Sequence, residues 1–80
     1  MTRDEALPHV QALVGPGQDL EGMELTRLWP AYVELPDEDP ERPCRVRDVR
    51  VWRADLRGPR GYARVAIDDR DGTLLRTERM

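Results

Sequence analysis

The sequence predicts an α+β domain, one amino-terminal helix packed on an antiparallel sheet of three or four strands. Three observations lead there: a helix-start signature with three-and-four apolar spacing in residues 2–14, period-two alternation in residues 23–35 and 62–68, and glycine-bearing turns between short β-rich segments after residue 44. The 80 residues are read as a single domain, because two halves of about forty would each bury too little apolar surface to fold.

Thr2-Arg3-Asp4-Glu5 has the form of a capping box, in which a hydroxyl and a carboxylate three residues apart each satisfy a free backbone amide. Ala6, Leu7, Val10, Leu13 and Val14 then make one apolar stripe, which Gly15-Pro16-Gly17 ends. Pro8 interrupts the stripe, and the backbone bond it deletes predicts a kink or a late helix start. Residues 23–35 carry two patterns. Met23, Leu25, Trp29, Ala31, Val33 and Leu35 alternate with the other residues, Arg27 being the only charge on that side. Leu25, Leu28, Trp29, Tyr32 and Val33 also fit a helix, but Pro30 would stand in its middle at a cost of about 3 kcal/mol. An edge strand tolerates the proline, and strand is the reading adopted.

Residues 36–43 hold three prolines, four acids and no apolar side chain, which reads as a solvated loop within the domain. Val46, Val49, Val51, Trp52 and Leu56 follow among regularly placed arginines; their phase changes near Asp48, which predicts a bulge or two short strands. Gly58-Pro59-Arg60-Gly61 supplies a turn, and Ala63, Val65 and Ile67 alternate cleanly. Asp68-Asp69-Arg70-Asp71-Gly72 reads as a hairpin turn into a returning strand at 73–77.

The net charge of −3 conceals an opposition. Residues 1–41 carry ten acids and two arginines, and residues 42–80 carry eleven arginines and six acids. The two surfaces either face each other, within the fold or across a dimer, where exposed pairs contribute about 0 to 1 kcal/mol each, or the arginines form a docking face for carboxylates. Because no lysine is present, the arginine count also reflects a compositional bias and is discounted. Nucleic acid is disfavoured: the basic segment has only Trp52 and Tyr62 as aromatics, the chain is acidic, and no groove-reading motif occurs. No apolar run reaches the roughly 20 residues of a membrane span, and the start lacks a signal-like basic and apolar pair of regions, so a cytoplasmic location is expected.

Catalytic sets are not assembled by the sequence. His9 has no neighbouring partner in sequence, and Cys44, although flanked by Arg42 and Arg45, lacks a nearby histidine. The carboxylates lie in turns and a polar loop, where water stabilises their charge. Asp69-x-Asp71-Gly72 with Glu78 is similar to a calcium loop, but its first ligand position falls on Ile67 and its flanks read as strands. The expectation is a non-enzyme without cofactor or metal.

Val51-Trp52-Arg53-Ala54-Asp55-Leu56, a Gly-Pro turn, and the segment from Tyr62 to Leu75 resemble a PepSY-type domain. Val65, Ile67, Asp68, Gly72 and Leu74 occupy the hydrophobic-x-hydrophobic-Asp-x-x-x-Gly-x-hydrophobic hairpin of that family, and the helix with Ala6, Leu7, Val10 and Leu13 stands on the expected side. The resemblance covers the helix and the last thirty residues or so, and it implies a non-catalytic module that modulates peptidases. The acidic 36–43 insert, and the lack of an attached protease or export signal, depart from that family.

These readings converge on a small binding or regulatory module that meets a protein partner, or a second copy of itself, through an exposed sheet face bearing Arg50, Trp52, Arg53 and Arg64. The alternative is an immunity- or inhibitor-type protein whose acidic 34–41 loop, with Asp37, Glu38 and Asp39, covers a basic enzyme site.

Overall fold

The capping box forms as the sequence predicts. In the computed structural model, which describes residues 1–36, 41 and 45–80, Thr2 Oγ1 accepts from the Glu5 N–H at 3.3 Å, and Glu5 Oε1 accepts from the Thr2 N–H at 2.9 Å. Helix α1 (Arg3–Leu13) therefore starts on time despite Pro8. The proline is exposed, so the carbonyl it leaves unbonded faces water. Ala6 and Val10 are buried, while Leu7, Leu13 and Val14 pack at the margin of the same cluster.

Four strands follow: β1 (Glu24–Pro36), β2 (Val46–Gly58), β3 (Gly61–Asp68) and β4 (Leu74–Arg79). They form one antiparallel meander in the order β1-β2-β3-β4, so the predicted α+β class is what the structure has, with four strands. Strand β3 pairs only with Val51 to Gly58 of β2, and the outer part of the β1–β2 hairpin reaches beyond it as an arm. Among the residues of the acidic 36–43 stretch, only Pro36 and Glu41 are described; Cys44 also lies outside the described residues.

Two details of the strands differ from the predicted ones, each for a physical reason. Alternation in β1 is not continuous, because a register shift between Leu25 and Arg27 leaves Thr26 over as an extra residue. Leu25 and Leu28 thus face the helix, and Trp29, Ala31, Val33 and Leu35 face away from it. Strand β2, by contrast, has neither the predicted bulge nor a break, pairing residue for residue with β1 from Pro36↔Val46 to Arg27↔Asp55. Its phase change marks a change of core. Trp52, Ala54 and Leu56 join the helix-side cluster with Ala63, Val65 and Ile67, whereas Val49 and Val51 join a second cluster with Val33, Ala66 and Leu75.

That second cluster exists because the sheet curls. Arg76 Nη2 on β4 donates to the Glu34 carbonyl on β1 at 3.4 Å, although two strands separate them. In a flat sheet those strands would lie about 14 Å apart. The arm bends over the far face at one end, covering Val33, Val51 and Ala66 and leaving the other end open.

Candidate functional site

The open end of the far face carries an organised group of polar and aromatic side chains. Strand registers set Arg27 opposite Asp55, Asp55 opposite Arg64, and Arg64 opposite Glu78, a row of alternating charge across all four strands. Cross-strand pairs of opposite sign stabilise a sheet by about 0.2 to 1 kcal/mol each. The strongest here is bidentate: Arg64 Nε and Nη2 donate to Asp55 Oδ1 and Oδ2 at 2.7 and 3.3 Å. Asp55 also holds the Arg64 pKa above its ordinary value, chiefly through that hydrogen bond.

In the next row Trp29 stands opposite Arg53. The indole is half-buried, with the Arg27 guanidinium 4.4 Å and the Arg64 guanidinium 5.2 Å from its ring centre. Two cations against one ring are attracted by its quadrupole, and Asp55 offsets the charge of one of them. Among the described residues, Arg53 and Arg57 make no hydrogen bond or ion pair. This surface holds an apolar plate and free planar donors together, an arrangement that can accept carboxylates.

The four residues predicted to share a face do not share one. Adjacent strand residues point to opposite sides, so Arg50 and Trp52 belong to the helix side and Arg53 and Arg64 to the far side. Trp52 is core, 7% exposed, and its Nε1–H donates to Asp69 Oδ1 at 2.7 Å. Arg50 lies 3.7 Å from the other oxygen of Asp69. Arg53 and Arg64 remain at the site, joined by Trp29 and Arg27. Trp29 was missed as a contact because its relation to Arg64 spans 35 positions in sequence and arises only from two successive strand registers. The parity of residues 52 and 53 was the available signal that Trp52 belongs elsewhere.

The aspartates from the end of β3 onward build a turn. The Asp68 carboxylate accepts from the Arg70 N–H at 2.8 Å and from its guanidinium at 3.1 and 3.3 Å, and Asp71 Oδ1 accepts from the Thr73 N–H at 2.9 Å. Among the described residues no group of three or more His, Cys, Asp or Glu could hold a metal ion. A cleft of about 240 Å³ beside the arm is lined by Arg47, Asp48, Arg50 and Asp68 to Arg70, charges already opposed to one another. A cleft of about 290 Å³ lies at the opposite end of the sheet, where Arg79 Nη2 meets Asp19 Oδ2 at 2.6 Å. Of the acidic 34–41 stretch, Glu34 and Glu41 are exposed, and Asp37, Glu38 and Asp39 lie outside the described residues. No described helix is long and apolar enough to cross a membrane. No family model, curated protein or solved structure matches this chain.

Proposed function

We propose that the protein is a non-catalytic binding module that takes an acidic segment of a partner protein on the far face of its sheet. The observation that carries this reading is Trp29, an indole left half-exposed between the Arg27 and Arg64 guanidiniums with Arg53 beside it. Trp52, by contrast, lies in the core at 7% exposure. Tryptophan and arginine together are the residue types most enriched where interfaces concentrate their energy. Arg53 and Arg57 offer forked donors that match carboxylate geometry.

Calorimetric titration with a short Glu/Asp-rich peptide, against a Lys-rich peptide of equal length, tests the reading. Saturable binding of the acidic peptide alone is expected. W29A should weaken it by about 30-fold, the effect of losing roughly 2 kcal/mol at a hot spot, and R53A should weaken it in the same direction. Equal binding by W29A and the parent chain, or no preference between the peptides, would contradict it.

A further inference from the structure

We propose that two copies of this chain pair edge to edge through β4, in the register that sets Thr77 opposite Thr77 of the second copy and Arg76 opposite its Glu78. The inference does not rest on peptide binding at Trp29. It starts from a difference between the two edges of the sheet.

The Asp69 N–H donates to the Arg50 carbonyl at 3.1 Å, so the even-numbered residues of β2 turn their backbone groups to β3 and the odd-numbered ones to β1. Through the β1–β2 register this leaves Leu28, Pro30, Tyr32, Glu34 and Pro36 facing outward on β1. Pro30 and Pro36 have no N–H to offer, and the Glu34 carbonyl already accepts from Arg76. That edge is guarded against pairing.

Strand β4 contains no proline. Tyr62 and Met80 exchange N–H···O bonds of 3.2 and 2.9 Å, so alternation turns Glu78 and Arg76 toward β3 and leaves Thr77 and Arg79 facing outward. Among the described residues nothing bonds those outward groups. Antiparallel pairing centred on Thr77 lets the two copies of that residue exchange hydrogen bonds. The same register places Arg76 opposite Glu78 twice, by symmetry, in the closely spaced position. Centring on Arg76 or Glu78 instead would oppose like charges and would meet backbone groups already committed to β3.

The charged row of the far face gives an independent reason for this register. It runs Arg27, Asp55, Arg64, Glu78 and ends at the open edge on a carboxylate that is 47% exposed and only loosely paired, at 4.0 Å, with Arg76 of its own strand. Arg76 of the second copy continues the alternation. Because the β1 edge is guarded, the assembly closes as a twofold dimer with one continuous sheet and does not grow further.

Sedimentation equilibrium over a wide concentration range, on the full chain, provides the test. The parent chain is expected to dimerise. T77P removes only an outward N–H, so the variant should be monomeric with an unchanged circular dichroism spectrum. R76E should weaken the dimer by about tenfold, as two attractive cross-strand pairs become repulsive, and R76E/E78R should restore it. W29A should dimerise as the parent does. A parent chain that is monomeric at every concentration would overturn the proposal, as would T77P and R76E variants that associate normally. Should T77P lose its fold, the two charge variants at half-exposed and exposed positions carry the test, and a folded double variant that stays monomeric overturns the register.

Discussion

Asp69 joins more of the molecule than any other single side chain described. Its Oδ1 accepts from Trp52 Nε1–H at 2.7 Å and from the Met1 ammonium at 2.9 Å, and its Oδ2 faces Arg50. It therefore links β2, the segment before α1 and the β3–β4 turn. D69A would leave a buried indole N–H without an acceptor, and the expected loss is about 1 to 3 kcal/mol in urea unfolding. D69N keeps an acceptor and should lose less. The Asp69 carboxyl is held below its usual pKa first by the Met1 ammonium and then by Trp52, and the Asp68 carboxyl by the Arg70 guanidinium and N–H. Both groups favour the fold when ionised, because their folded values are depressed. That stability is fully present above about pH 4 and is lost as pH falls through the lowered folded values. Urea midpoints should accordingly fall as the pH is lowered below about 4, and D69N should flatten the fall. The turn chemistry of residues 68–72 was legible from its Asp and Gly content, whereas the reach of Asp69 to Trp52 and Met1 was not, since each partner comes from a distant segment.

Among the elements, α1 and β2 show how far local pattern carries. The capping box set the start of the helix in spite of Pro8, so the two substitutions should move stability in opposite directions. T2A should cost about 0.5 to 2 kcal/mol through the lost cap, and P8A should stabilise by up to about 3 kcal/mol by restoring a backbone bond, both read from thermal or urea unfolding. The turn into β4 adds a second constraint on the helix. Gly72 has φ +76°, and a Cβ there would overlap the His9 ring. G72A is therefore expected to destabilise by about 1 kcal/mol or more, and H9A in that background should relieve the overlap while leaving the backbone strain. Strand β2 was legible as a strand, but its phase change had two physical sources, a bulge or a second core. Choosing between them needed the far-face neighbours Ala66 on β3 and Leu75 on β4, which share a cluster with Val51. The same ambiguity displaced the bulge, which lies at Thr26 in β1.

At the scale of the whole molecule, one face of the sheet packs its apolar centre against α1 and the other is divided between an apolar patch under the arm and a charged, tryptophan-bearing surface. The helix-on-sheet layering followed from periodicities of 3.6 and 2 in the sequence. Which side of the sheet the helix covers did not, and that choice decides the site: it makes Trp52 a core residue and leaves Trp29 at the surface. The two indoles therefore report on the two faces separately. Titration of the ¹⁵N-labelled protein with the Glu/Asp-rich peptide, following the two indole N–H resonances, should move the Trp29 signal saturably and leave that of Trp52, bonded to Asp69, in place. A Trp29 signal that stays fixed, or a Trp52 signal that moves in its stead, would contradict the assignment of the far face as the surface that meets a partner.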